Sequence, residues 1–262
     1  LSIIAVPLPR FVLDFFLFLL VFFLFVVYKK YKFITSKKNL FSSILSGILF
    51  HGVYLGGVFF SVSKGLPTGI AALIVTLQPI LTNTFAGPLL NEKITWRQWA
   101  GVMLGFSGAV LVLGFDIGSN FPTIGVVAAF ISLISVTAAT LWQKKITNNL
   151  PLPVSNLYQA IGGFVFHALV TLFFENSFIS FTPTFIIAMS HQIFLVSFGA
   201  FTIFMYLLHK GSASKTVTLF FLVPPASAIM AWVFLNEYLS TLDIFGFGIA
   251  TLGVYIATRQ NV

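Results

Sequence analysis

Two prolines inside long apolar stretches, Pro79 and Pro224, are the residues of this chain best placed for binding chemistry. Each removes a backbone donor in mid-helix and crowds the carbonyl four residues back, at Val75 and at Phe220; Pro225 compounds the second break. Carbonyls released among apolar residues are tolerable only against other helices or a wet cavity, and matched interruptions point to a substrate site. Thr76, Gln78, Thr82 and Asn83 cluster around the first proline. For either proline alone an ordinary packing kink competes with this reading. His51 and Tyr54, at i and i+3, share neighbouring faces of another apolar stretch, and Gly52 and Gly56 thin the helix beside them. His51 is read as a neutral hydrogen-bonding group that takes up a proton only during a working cycle, or else as a histidine satisfied by a neighbouring helix. Thr137, Thr140 and Gln159 complete the candidate binding set, although threonine can also bond its own helix backbone. His167 has only Thr171 as a polar neighbour within a turn. No metal, acid–base, phosphate-loop or nucleophile constellation accompanies these residues, so neither an enzyme nor a cofactor is expected.

The elements that must position them follow from composition. Hydrophobic residues make up 58% of the chain and charged residues 8%, with a mean hydropathy of +1.02. So few charges cannot cover a water-exposed surface, and the chain is expected in lipid. The net charge of +8 is spread in short runs between apolar stretches, which argues against nucleic acid as a partner. With no cysteine there is no disulfide or thiol chemistry. Stretches long enough to span a bilayer fall at 11–28, 41–62, 67–90, 97–114, 122–142, 154–174, 190–208, 213–235 and 241–258. This predicts an all-α, polytopic bundle with nine visible spans. Alternate connections carry Lys29, Lys30, Lys32, Lys37 and Lys38, then Lys93 and Arg97, Lys144 and Lys145, Lys210 and Lys215, and Arg259. The other set has only Arg10 and Lys64. The asymmetry makes the first set, and the C-terminus, cytoplasmic.

The chain also repeats itself. Leu77-Gln-Pro79, Leu90-Asn-Glu92, Gly101 and Gly108 return as Leu222-Val-Pro224, Leu235-Asn-Glu237, Gly246 and Gly253, each 145 residues later. The loop after Glu92 is basic and the loop after Glu237 holds Asp243, so the copies run in opposite directions, as inverted repeats do. The expected halves are 1–114 and 122–260. Shifting the later spans back by 145 accounts for every early span and places the partner of 122–142 before Leu1. The expectation is therefore five plus five helices with the first one missing.

Asn91-Glu92 and Asn236-Glu237 close helices and precede Thr95-x-x-Gln98 and Ser240-x-x-Asp243, which read as capping boxes for the next ones. Their carboxylates either gate transport or fasten a helix–loop–helix corner. Gly101, Gly105 and Gly108, matched by Gly246, Ala250 and Gly253, form small-residue stripes for close helix packing, or a homodimer face. Trp96, Trp99 and Trp142 read as interfacial anchors.

In these residues the chain resembles the EamA family of the drug/metabolite transporter superfamily. The resemblance is carried by His51-Gly-Val-Tyr54-Leu-Gly-Gly-Val, Gly65-Leu-Pro-Thr-Gly-Ile-Ala-Ala-Leu-Ile74 and the two Pro…Asn-Glu segments. Thr137-Ala-Ala-Thr140-Leu-Trp-Gln-Lys-Lys145, Tyr158-Gln159 and Lys210-Gly-Ser-Ala-Ser-Lys215 extend it through the second half. It implies an inner-membrane carrier of two inverted five-helix repeats that exports amino acids, other small metabolites or drugs. The cavity it implies is lined by His51, Tyr54, Thr76, Gln78, Thr137, Thr140 and the Pro224 region. One departure stands out: where the family often sets Arg before Phe, this chain has Asp14 before Phe15, and its Arg10-Phe11 pair lies a turn earlier.

The expected function is a secondary carrier of a small-molecule substrate, working by alternating access and in contact with membrane lipid, with proton coupling through His51 a further reading. The alternatives are a non-transporting structural protein or degenerate fragment, and a channel. A channel would line one axis with polar residues, whereas here polarity clusters near mid-span.

Overall fold

Apolar runs of this length can satisfy their backbone in lipid only as helices or closed barrels, and this chain forms helices. The computed structural model describes residues 8–33, 36–114, 121–146, 150–174, 182–235, 238 and 240–259, and no strand occurs among them. The helical segments are α1 (Leu8–Tyr28), α2 (Lys37–Ser63), α3 (Thr68–Leu90), α4 (Trp96–Leu113), α5 (Thr123–Ile146), α6 (Leu152–Phe174), α7 (183–210), α8 (213–235) and α9 (Thr241–Thr258). They coincide with the expected spans. Seven, all but α1 and α4, are long and apolar enough to cross a membrane among the described residues. The apolar part of α1 so described is Val12–Tyr28, and α4 opens on Trp96-Arg-Gln-Trp99, which dilutes its hydropathy.

Four segments are interrupted. The prolines act where expected: α3 is α-helical over Thr68–Val75 and Gln78–Leu90, broken at Thr76–Leu77. Its counterpart α8 is α-helical over Ala213–Thr218, tightens to a 3₁₀ turn over Leu219–Leu222 and resumes at Val223. Two other interruptions carry no sequence signal. Ile48–Leu55 in α2 and Gln192–Ala200 in α7 are π-helical. Shifted by 145, the first falls on 193–200, so the repeat extends to this irregularity as well.

Packing divides the chain into two units. The first comprises Leu1–Phe59 and Ala138–Lys210, the second Phe60–Thr137 and Gly211–Val262. Each draws on both sides of the 114–122 boundary, and α5 contributes to both. In the first unit α1 lies along α6 and against the π turn of α7, and α2 also packs on α6. Gly47 and Gly162 let α2 and α6 touch backbone to backbone: a Cβ on Gly47 would sit 2.6 Å from the Gln159 Cα. Phe15, Phe18, Phe22 and Val26 of α1 are buried there.

In the second unit α4 and α9 form the closest pair. A Cβ on Gly101 would lie 2.5 Å from the Ala257 nitrogen, and one on Gly253 would lie 2.7 Å from the Gly101 oxygen. The two small-residue stripes are thus spent on each other, and Val102, Ala109, Phe221, Val254 and Ala257 close the core beside them.

The Asn91-Glu92 corner resolves into two jobs. Asn91 takes a left-handed conformation (φ 56°) and ends α3, with its N–H donating to the Gly87 carbonyl; asparagine tolerates that conformation better than most residues. Glu92 reaches the start of α8, where its carboxylate accepts from the Ala213 N–H (2.6 Å), the Ser214 N–H (3.2 Å) and the Ser214 hydroxyl (2.6 Å). An anion at a helix N-terminus satisfies donors that have no partner within the helix. Of the two expected capping boxes, one is complete. Ser240 and Asp243 cap reciprocally, whereas Thr95 accepts from the Gln98 N–H and the Gln98 side chain donates instead to Ser214 Oγ at 2.9 Å. The Asn236-Glu237 corner lies outside the described residues. Glu92→Gln is expected to lower stability by roughly 1–2 kcal/mol, since it weakens charge-assisted bonds without emptying the site. Thermal unfolding of the purified protein checks this, and transport per folded molecule should stay unchanged if Glu92 is a fastener and not a gate.

Candidate functional site

The second unit holds a buried polar face on α3. Gln78, Pro79, Thr82 and Asn83 are all buried, and the i, i+4 spacing sets Gln78 above Thr82 and Pro79 above Asn83. Asn83 is 2% exposed, yet neither atom of its side-chain amide has a hydrogen-bond partner, and the Thr82 hydroxyl also lacks one. A buried amide left unpaired costs about 1–3 kcal/mol, which a bound ligand or water recovers. Thr76 is satisfied on its own helix, donating to the Ala72 carbonyl at 2.7 Å, and Thr137 likewise donates to Leu133 at 2.8 Å. Pro224 is buried just after the 3₁₀ turn of α8.

The first unit builds its site around His51. The ring sits in the π turn of α2, 3% exposed, among Phe15, Phe18, Phe50 and Phe201, with centroids 5.1, 5.7, 5.5 and 4.5 Å away. Its Nε2 has no hydrogen-bond partner. Gly163 makes the room: a Cβ there would lie 2.8 Å from that of His51. The His51 carbonyl accepts from His167 Nε2 at 2.9 Å. A carbonyl only accepts, so this nitrogen of His167 carries a proton. His167 in turn stacks on Phe15 at 5.1 Å and 10°. Gly52 and Gly56 face this ring cluster, beside Phe166 and His167 respectively. Tyr54 is half-buried, with its ring 5.7 Å from that of Phe50.

Gln159 is bound within the protein. Its amide belongs to a buried cluster with Ser46, Ser155 and Gln143: Ser46 Oγ lies 3.1 Å from Gln143 Oε1 and 3.4 Å from Gln159 Oε1. Both amide nitrogens reach Ser155 Oγ at 3.4 Å. Thr140 is fully buried nearby in sequence on α5. The sequence candidates therefore fall into two sets, His51, Tyr54, Thr140 and Gln159 in the first unit and Thr76, Gln78, Pro79, Thr137 and Pro224 in the second.

Sequence reasoning named Asp14 only as a departure from the family pattern and not as a site residue. It is 3% exposed on α1; one carboxylate oxygen lies 3.5 Å from the Ser197 hydroxyl in the π turn of α7, and the other has no partner. The Gln192 side chain also reaches this carboxylate. The repeat held the signal, because Asp14 stands 145 residues before Gln159, itself a candidate. Gln143 and Asn156 were missed too. Asn156 is fully buried with both amide atoms unpartnered.

Among known proteins, the model of the EamA-like transporter family matches residues 6–114 and 123–259. The "Uncharacterized transporter YvbV" of Bacillus subtilis is 30% identical over 225 residues, which cover 85% of this chain and 72% of that protein. The "Probable amino-acid metabolite efflux pump" of Salmonella typhimurium is 23% identical over 76% of this chain and 70% of its own length. The "Probable terminal-alkyne amino-acid exporter" of Streptantibioticus cattleyicolor is 22% identical over 75% and 66%. A solved crystal structure superposes with a TM-score of 0.82 at 19% identity over 96% of this chain and 88% of that one, a likeness of fold alone.

Proposed function

We propose that this chain, which belongs to the EamA-like transporter family and is a multi-pass membrane transporter, not an enzyme, exports amino acids or related small metabolites by alternating access. Its small-molecule substrate binds near mid-membrane, where the halves 1–114 and 122–260, as inverted repeats, rock around it. It sits in a bacterial inner membrane with its C-terminus in the cytoplasm. His51, Tyr54, Thr76, Gln78, Pro79, Thr137, Thr140, Gln159 and Pro224 contribute to the site or hold its walls, and Asn83 and Asp14 join them.

One observation carries this reading. Polar atoms of Asp14, His51 and Asn83 are buried in apolar helices without a protein partner, and intramembrane polar groups of that kind serve a pathway or site by default. The amino-acid class rests on the names of the two relatives above. A zwitterion brings both donors and acceptors, which an amide such as that of Asn83 can match.

Counterflow in proteoliposomes tests the reading. Labelled amino acid is expected to enter faster when unlabelled amino acid is loaded inside, and to saturate. Flux without saturation or trans-stimulation would identify a channel, and absence of flux across an amino-acid panel would favour a structural role.

A further inference from the structure

A small cavity of ≈ 70 Å³ opens in the second unit where the start of α4, the start of α8 and the end of α9 meet. That is several times the room one water needs. Lys93 and Arg97 from the α3–α4 corner, Lys215 from α8 and Arg259 from the end of α9 line it, together with Thr95 and Gln98. Among the described residues no carboxylate lines it. The acid next door in sequence, Glu92, has both oxygens committed to Ala213 and Ser214. Lys93, Lys215 and Arg259 around one cavity repel each other unless an anion joins them, and the repulsion grows as water is excluded. Arg97 and Lys215 are half-buried, so part of this convergence is shielded from solvent.

We propose that this cavity binds the phosphate of an anionic phospholipid. Guanidinium forks and ammonium groups are the side chains suited to phosphate oxygens. The α8 end is already capped by Glu92, so side chains and not that helix terminus hold the anion. The surroundings favour a lipid over a soluble phosphate. Trp96, between the lining residues Thr95 and Arg97 in sequence, is 89% exposed; Tyr255, over whose ring the Arg259 guanidinium lies at 5.8 Å, is also exposed, as is Leu252 one turn along α9. Aromatic residues at a helix end mark the headgroup level, and basic pockets between membrane helices take lipid headgroups. A lipid seated here has its phosphate among the cations and its acyl chains along the apolar face of α9.

The test is native mass spectrometry of the full-length protein titrated with cardiolipin, phosphatidylglycerol and phosphatidylethanolamine. Lys215→Gln with Arg259→Gln is expected to weaken retention of the two anionic lipids about 25-fold, at roughly fivefold per charge removed. Phosphatidylethanolamine binding should not move, and Lys215→Arg should behave as the parent. Lys93→Gln, at an exposed position, gives the single-charge effect if the double variant does not fold. Lys29→Gln with Lys30→Gln removes two basic charges that do not line the cavity. Equal loss in that control, or no loss in the cavity variants, would overturn the proposal. Displacement of the lipid by excess inorganic phosphate, with phosphate then seen bound, would overturn the lipid assignment in favour of a soluble anion.

Discussion

Gly253→Leu is expected to abolish recovery of folded protein, whereas Gly248→Ala, five residues earlier on the same helix, should be neutral or slightly stabilising. The contrast follows from what a side chain meets at each position. At Gly253 a Cβ would lie 2.7 Å from both the Gly101 oxygen and the Gly105 Cα, and these are backbone atoms that cannot rotate away. The helices would have to separate, and the contacts of Val102, Ala109, Val254 and Ala257 would loosen with them. Overpacking against movable side chains costs about 1–3 kcal/mol; against a rigid backbone along a whole helix pair the cost lies at or beyond the top of that range. Gly253→Ala should fall between. At Gly248 a Cβ meets nothing within 4 Å, and alanine favours helix over glycine by about 0.8–1 kcal/mol. Thermostability of the solubilised protein, followed by size-exclusion chromatography, checks the series. A Gly253→Leu protein as stable as the parent would refute backbone-to-backbone packing of α4 on α9.

The segments were legible because lipid leaves so few options. Run length fixes where a helix must be, and proline fixes where it breaks, so the interruptions before Pro79 and Pro224 could be placed to within a few residues. The π turns at Ile48–Leu55 and Gln192–Ala200 were not legible, because a π turn differs from an α turn only in which carbonyl each N–H chooses. The local sequence Ile-Leu-Phe-His-Gly-Val-Tyr-Leu suits either. The small-residue stripes announced a close approach, but sequence spacing alone does not choose between an internal partner and a second copy, and the structure pairs them internally. Glu92 was expected either to gate transport or to fasten its own corner; its carboxylate instead caps the start of α8, a contact more than a hundred residues distant in sequence. The threonines show the opposite limit. Thr76 and Thr137 have the right type and depth for a site, but their hydroxyls are spent on carbonyls one turn back. The amide of Asn83 keeps its donors and acceptors unspent.

Asp14→Asn is expected to leave the fold intact, preserve exchange and cut uphill export about tenfold or more. The carboxylate is buried on α1 with one long contact to Ser197, the Gln192 side chain within reach and one oxygen without a partner. Stability alone gives little reason for it, because a buried ionised carboxylate with so little compensation destabilises the unit. The expected result rests on the further reading of proton coupling, in which this group would gain and lose a proton. Asp14 touches Ser197 in the π turn of α7, and its neighbour Phe15 packs against both His51 and His167. Phe15 thus joins His51 to His167, and Asp14 precedes it directly on α1. Asparagine keeps the shape and one acceptor but holds no negative charge. A bond to a charged group is worth about 1.5–3 kcal/mol, or a factor of roughly ten to a hundred in a rate or equilibrium, and that is the loss expected where the charge matters. Counterflow needs no proton and should survive; accumulation driven by an imposed pH gradient in inverted vesicles should not. His51→Gln should show the same split if both groups serve one proton path. Loss of counterflow together with driven transport would instead make Asp14 a substrate ligand. Retention of both would leave Ser197 and Gln192 as its whole purpose, a polar tie between α1 and α7 that asparagine serves equally well.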